Sequence, residues 1–301
     1  MQGLVFWLIY PILWLVSILP FRIFYLFSDC CYFVIYHLIG YRKKTVTANL
    51  KLALPEKSDV EIRQIRKKFY SHMCDMFLEM IKSMSISEKE LKRRFTYTNL
   101  DFLRRLEEQN KSIIFMCGHY ASYEWLISLQ LHGLKFRSFG IYKKIRNRYF
   151  DQLIRDIRGK FDAKLISMYE ATETIQRNET EGLPGNYAMI ADQSPKLQRA
   201  KYWFHFMGVR VPVFEGSERL AKKLDMNVIY LHVEKKKRGF YEATFKPISE
   251  NAPAEPPHKI TRTFLDLLEN QIRENPEYYL WTHKRWKHKD SQPPAHAEIV
   301  D

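Results

Sequence analysis

From Ser112 onward, short apolar runs alternate with amphipathic stretches, and this alternation leaves the chain few folds to choose from. Residues 112–117 (SIIFMC) and 187–191 (YAMIA) are too short for helices and apolar on both faces, as strands covered on both sides are. Residues 134–142, 163–167 and 211–214 also read as strands, and 227–233 with 240–248 as a hairpin turned at 235–239. Between them, 123–131, 146–161, 169–177, 215–224 and 257–273 carry helical patterns. The clearest is 146–161, with Phe150, Leu153, Ile154 and Ile157 on one face. Upstream, 60–84 places Ile62, Ile65, Phe69, Met73, Met76, Phe77, Met80 and Ile81 at helical spacing, and a short strand is expected at 278–281. Strand–helix alternation predicts an α/β fold: a single domain with a mostly parallel mixed sheet covered by helices on both faces. At 301 residues, 46% hydrophobic and 27% charged, the chain has ample material for one core, and a disordered chain is excluded.

The first forty residues are of another kind. Residues 3–19 (GLVFWLIYPILWLVSIL) carry no Asp, Glu, Lys, Arg or His, and seventeen residues is the lower limit for a membrane-spanning helix. Pro11 kinks such a helix, which neighbours in lipid can accommodate. A second apolar stretch, 21–41, contains Arg22 and Asp29, which favour a helix lying at the interface over a second span. A cleaved signal peptide fits poorly, since no Lys or Arg precedes the run and no small-residue cleavage site ends it. From Arg42 to Lys68 nine Lys or Arg face three Asp or Glu. By the positive-inside rule this flank and the domain behind it lie on the cytoplasmic side. The reading divides the chain into 1–41, a hydrophobic anchor and interfacial helix; 42–291, the catalytic domain; and 292–301, a mobile tail. The anchor is expected to be separable from the catalytic fold.

A net charge of +14 calls for anionic partners. Cys30, Cys31, Cys74 and Cys117 make neither a CxxC pair nor a Cys/His cluster, so neither a disulfide scaffold nor a zinc site is expected. No GxSxG elbow, GxGxxG or Walker A loop is present. Chemistry is expected where strand ends meet helix starts. The best candidate follows SIIFMC: Gly118 lets the chain turn, His119 falls at the corner, and Glu124 begins the next helix. On a regular helix these two side chains would point about 140° apart. A turn after His119, with Ser122 capping a late helix start, would let them meet. A carboxylate on one imidazole nitrogen raises the basicity of the other, giving a general base. A capping carboxylate beside an unrelated histidine is the competing reading of the same spacing. Cys117 ends a buried run, where thiols are inert.

The H-x-x-x-x-E pattern after a buried strand, behind a hydrophobic anchor, resembles the bacterial lipid A biosynthesis acyltransferases, within the wider glycerolipid acyltransferase group. Further segments extend the likeness over nearly the whole chain. These are Arg42 with Asn49-Leu50 and Pro55-Glu56, the helix segment RDIRG ending Arg158-Gly159, the stretch Ala191-Asp192-Gln193, Phe206-Met207-Gly208, and the ending PEYYLWTHKRWK from Pro276. Met207 stands where the family commonly has a second Phe, and Val213 near a usual Thr. The resemblance implies transfer of a fatty acyl chain from acyl carrier protein to a hydroxyl of a lipid A precursor. It implies no cofactor, no metal and no covalent acyl-enzyme, at the cytoplasmic face of the bacterial inner membrane. In it His119 and Glu124 are catalytic, with Glu124 orienting His119. Arg158, Asp192 and Gln193 bind substrate, Asp192 by orienting Arg158 or the sugar. Structural ion pairs are the competing reading for Arg158 and Asp192. The partners implied are the acidic carrier protein, an anionic lipid acceptor and the membrane, and no nucleic acid. Two other readings stay open: an acyltransferase acting on another lipid, and a noncatalytic basic module at the membrane surface.

Overall fold

The computed structural model describes residues 2–300. The apolar N-terminus forms two helices, α1 (Gln2–Ile18) and α2 (Phe21–Phe33), broken at Pro20; α2 runs on through a π-helical turn, Val34–Ile39, ended by Gly40. The basic flank forms α3 (Lys43–Ala53), and the long amphipathic pattern forms α4 (Asp59–Lys82). A capping box opens α4: Ser58 Oγ accepts from the Glu61 amide while the Glu61 carboxylate accepts from the Ser58 amide, which satisfies two otherwise orphaned donors.

The catalytic domain continues as α5 (Glu88–Arg94), β1 (Phe95–Tyr97), α6 (Leu100–Glu108), β2 (Ile113–Cys117), a 3-10 helix (Tyr123–His132), β3 (Arg137–Tyr142), α7 (Arg148–Gly159), β4 (Lys164–Ser167), α8 (Ala171–Thr180) and β5 (Gly185–Ile190). The strands β6 (Tyr202–Phe206) and β7 (Val209–Val213), the helix α9 (Gly216–Leu224), the hairpin β8 (Asn227–Lys237) and β9 (Phe240–Ser249), and the helix α10 (Lys259–Glu274) follow. Seven strands make one sheet in the order β1-β9-β8-β2-β5-β3-β4, parallel at every junction except β8–β9. The expected mixed, mostly parallel sheet is therefore present, with β2 and β5 side by side at its centre, β2 buried throughout and β5 over its first half.

The fold differs from the sequence reading in several places. The pair β6–β7 forms a second small sheet, joined by Met207-Gly208 with both residues at positive φ, the conformation of a tight hairpin turn. Residues 278–281 make only a single bridge, Tyr120 to Tyr279, after a 3-10 turn at Pro276–Tyr278, because Pro276 and the packing of Trp281 bend the chain there. The tail is not loose throughout: β10 (Glu298–Ile299) pairs with β6, and His258 bonds Glu298.

The N-terminal helices are not a detached leash. Phe6 of α1 is buried against Leu153 and Ile157 of α7, with Tyr149 stacked on it and Phe150 edge-on beside it. Lys82, at the end of α4, reaches back to the carbonyls of Ser17 and Leu19, both at 2.6 Å, and so satisfies the end of α1. The opposite face of α1, with Leu4, Trp7, Leu8, Ile12 and Leu15, is open. These contacts stand against the expectation that this segment is separable from the catalytic fold, since its removal would take a buried aromatic from α7. Phe6→Ala should lower stability by about 3 kcal/mol, as large-to-small core substitutions do. Denaturant unfolding in detergent checks it, and a change within error would show that α1 merely rests on the domain. The segment Phe21–Ile39 is, by length and composition, also long and apolar enough to cross a membrane, beside the shorter apolar helix α1.

Asp29, whose charge argued against a span, has a partner: Arg238 at the β8–β9 turn bonds Asp29 at 2.6 Å and Asp75 of α4 at 2.7 Å. Gly239 beside it has φ +72°, and a Cβ there would lie 1.9 Å from the Tyr25 hydroxyl, so the turn and α2 meet only because this residue is glycine. Underneath, Glu79 accepts from the hydroxyls of Tyr25 and Tyr241, each at 2.8 Å. Burial, with the Asp75 carboxylate adding to it, pushes Glu79 up to about 7, against the pull of Lys235 and the two hydroxyls. A carboxyl raised by folding binds more protons folded than unfolded, so stability falls as pH rises from about 4.5 towards 7. Glu79→Gln should remove that slope, worth about 3 kcal/mol across the window. Unfolding midpoints at pH 5 and pH 8 test it; a slope as steep in the variant as in the parent would overturn it.

Candidate active site

Parallel neighbours β2 and β5 end level with one another: Cys117 is in register with Ile190. Two residues further on, each chain presents a polar side chain at the carboxyl edge of the sheet, His119 from one and Asp192 from the other. His119 Nδ1 lies 2.6 Å from Asp192 Oδ1, and the His119 backbone N–H donates to Oδ2 at 3.1 Å. Asp192 is 2% exposed. A carboxylate that grips both the ring and the backbone of one residue leaves it a single orientation, with the proton on Nδ1 and the lone pair on Nε2. Burial opposes charge on His119, but the attraction and hydrogen bond of Asp192 outweigh it, so the imidazole is raised above its ordinary value; burial opposes the Asp192 charge in turn, and the His119 contacts hold it below the usual carboxylate range.

The turn after Gly118 is tight for steric reasons. A Cβ on Gly118 would lie 2.7 Å from Leu268 of α10. Ala121 takes φ +49°, a left-handed conformation that costs a side chain about 1–2 kcal/mol. It is held by its N–H on the Tyr278 carbonyl, while Leu280 N–H bonds the His119 carbonyl. The late helix start was expected; the Ser122 cap was not formed, and its hydroxyl makes no bond. The 3-10 helix that follows aims Glu124 away from His119.

Glu124 instead meets Arg158 of α7 in a two-pronged pair, Nε–Oε2 at 2.9 Å and Nη2–Oε1 at 2.6 Å. The sequence reading gave Glu124 the task of orienting His119 and paired Asp192 with Arg158 or a sugar. The partners are exchanged: Asp192 holds the histidine, and Glu124 holds the arginine. Register contains the signal that was missed, since two residues at the same offset beyond adjacent parallel strands must be neighbours. Gln193 lies at the site as expected of its segment, its Nε2 3.2 Å from His119 Nε2. Cys117 stays out of the chemistry, as burial pushes its thiol up. Among the described residues no three His, Cys, Asp or Glu side chains converge as a metal site requires.

The outlying sequence segments prove to be fasteners. Arg42 donates to the Thr282 carbonyl at 2.9 Å, and Asn49 donates to the carbonyls of Trp281 and His283 at 2.9 and 2.8 Å. Buried Arg285 bonds Ser194, whose hydroxyl bonds the Arg285 carbonyl, and Trp286 stacks between Phe206 and Trp281. The segment 278–286 thereby carries the backbone bonds that set the His119 turn and lies against the Asp192–Ser194 turn.

Beside the histidine, Tyr123 packs edge-on at 5.0 Å between ring centres. Its other side faces a cavity of about 110 Å³ under the 3-10 helix. Glu124 and Arg158 stand at one end, and the walls are apolar: Phe115, Leu126, Leu129, Ala188, Ile190 and Leu165 among them. The hollow arises from two small residues in register, Gly140 of β3 and Ala188 of β5. Sequence reasoning did not find it, because small residues inside a strand give no signal until the neighbours are known.

A family described as bacterial lipid A biosynthesis acyltransferase matches residues 1–288. The chain is 21% identical to lipid A biosynthesis acyltransferase 2 of Shigella flexneri over 83% of its length and 79% of the relative's. It is 22% identical to the lipid A biosynthesis lauroyltransferase of Escherichia coli K12, over 96% and 93%. It is also 21% identical to the lipid A biosynthesis acyltransferase of Haemophilus influenzae, over 91% and 85%. With a match that takes in the N-terminal helices, the His119 turn, Arg158, Asp192 and the fastening loop, the chain belongs to the bacterial lipid A biosynthesis acyltransferase family.

Proposed function

We propose that this acyltransferase moves a fatty acyl chain from an acyl carrier protein thioester to a hydroxyl of a lipid A precursor, at the cytoplasmic face of the inner membrane. The observation that carries the reading is the His119–Asp192 pair at the sheet edge, one tyrosine away from an apolar cavity. The acceptor hydroxyl gives its proton to His119 Nε2 as its oxygen attacks the thioester carbonyl. Asp192 keeps the Nδ1 proton in place and stabilises the imidazolium. The tetrahedral intermediate collapses, the carbon–sulfur bond breaks, and the imidazolium returns the proton to the leaving thiolate. The products are an ester and a free thiol.

In the present geometry Gln193 holds the Nε2 lone pair, so the acceptor hydroxyl takes its place and the amide is free to turn towards the developing oxyanion. The acyl chain lies in the cavity. The basic surface suits an acidic carrier and a phosphorylated acceptor. The open apolar faces of α1 and α2, bordered by Arg42, Lys43 and Lys44, suit residence in a membrane with anionic lipid at its surface. The test is direct. Purified protein in detergent is mixed with an acyl carrier thioester and a lipid A precursor, and the lipid is weighed by mass spectrometry. A mass gain of one acyl group, matched by release of carrier thiol, is expected; thiol release without lipid gain would refute transfer to this acceptor.

A further inference from the structure

The cavity has a polar far end that acyl transfer by itself does not require. Along β5 its lining runs from Ile190 at the carboxyl edge, past Ala188, to Asn186, about 13 Å at the rise of a parallel strand. Ser138 of β3 is the register partner of Asn186, so the two side chains share a face of the sheet and both line the cavity. Asn186 is 1% exposed. Its Nδ2 donates to Glu107 Oε1 at 2.8 Å, and only the amino side of an amide can face a carboxylate, so Oδ1 is turned the other way. Buried Oδ1 has no hydrogen-bond partner in the protein, and neither does the Ser138 hydroxyl. Two oxygens from register partners, one an acceptor and the other a donor and acceptor, thus close the end of the pocket away from Glu124 and Arg158, beyond its apolar walls.

We propose that Asn186 and Ser138 form a polar floor that sets the longest acyl chain this enzyme takes. The inference rests on the reading that the cavity holds the acyl chain. A chain that stops short leaves room for water to serve both oxygens, since a single site of about 10–15 Å³ is enough. A chain one step longer puts its methyl against them and takes that water away. Leaving a buried polar group unsatisfied reduces affinity by about tenfold or more for each group. Such a floor rejects long chains more sharply than an apolar wall, which yields by small side-chain shifts.

The test uses the full chain in detergent with acyl thioesters of graded length, and separately with free fatty acids of the same lengths, whose affinity is read by tryptophan fluorescence. Ser138→Ala removes an oxygen that bonds nothing, so folding is not at risk. It should raise kcat/KM for the first rejected chain about tenfold relative to the preferred one, with thermal stability unchanged or higher. Gly140→Ala places a methyl 3.1 Å from Leu165 in the middle of the hollow and should move the preference towards shorter chains. Identical length profiles for the parent and both variants would overturn the floor while leaving acyl transfer intact. Fatty-acid affinity whose length limit moves in Ser138→Ala supports the floor even if no acceptor is turned over, and in that case acyl transfer is the reading that fails. No binding of any fatty acid overturns the floor.

Discussion

Replacing His119 with alanine should reduce acyl transfer by about 10²–10⁴-fold, the usual contribution of a positioned general base. The fold should survive, because the ring sits at the sheet edge with 17% of its side chain exposed. Asp192→Asn should also be severe, for a different reason: an amide can bond Nδ1 as either donor or acceptor, and the tautomer is no longer dictated. Its pH profile distinguishes the roles. His119 accepts a proton only when neutral, so the rate rises with pH through a pKa that Asp192 holds above the ordinary imidazole value. Without that charge, burial is left to dominate, the pKa drops, and the acid limb moves to lower pH while the plateau falls. Steady-state rates from pH 5 to 9 on both variants are the measurement. A near-normal rate for His119→Ala, or an acid limb in Asp192→Asn that does not move, would contradict the assignment.

The second large effect concerns Glu124 and Arg158. Glu124 is 8% exposed, and Arg158 contributes two of its nitrogens to it. Removing one partner strands the other charge, and the loss for a buried pair is about 3–5 kcal/mol; with Arg158 about a quarter exposed, the lower end is expected. Glu124→Ala and Arg158→Ala should each unfold earlier in denaturant, and the double variant should recover part of the loss, giving a coupling energy of about 2 kcal/mol. Additive losses would show that the two residues act independently, as a substrate-binding Arg158 would. Arg158→Lys retains the charge but surrenders the fork, and should behave as a milder form of the same defect.

These expectations differ from those the sequence supported, and the reason lies in what one dimension can express. The buried strands at 112–117 and 187–191, the hairpin and the helices were legible because each is a local pattern. His119 and Glu124 stood out because they follow a buried strand where a helix begins, whereas Arg158, Asp192 and Gln193 were singled out through the family likeness of their segments. Their pairing was not legible. Glu124 is near His119 in sequence and Asp192 is 73 residues away, yet strand order places Asp192 against the ring, and 3-10 winding turns Glu124 aside. The hollow at Gly140 and Ala188 and the floor at Ser138 and Asn186 were hidden for the same reason: each needs the β3–β5 register, which no local pattern contains. The apolar character of the N-terminus was legible from composition alone, whereas the packing of α1 on α7 through Phe6 depended on a partner nearly 150 residues downstream.

The fastening of the 279–286 loop by Arg42 and Asn49 has a consequence for biogenesis. These bonds join residues 232 to 240 positions apart; the loop they secure supplies the amide that holds the His119 carbonyl, and Tyr278 just before it supplies the carbonyl that holds Ala121. During synthesis the apolar helices leave the ribosome first, and almost the entire domain follows before Trp281 emerges. Contacts of such long range are made late and slowly. The catalytic turn is therefore among the last parts of the fold to set, because Ala121 and the His119 carbonyl are held only once residues 278–281 are in place. Residues made early in synthesis thus wait for residues made late before the site is held together.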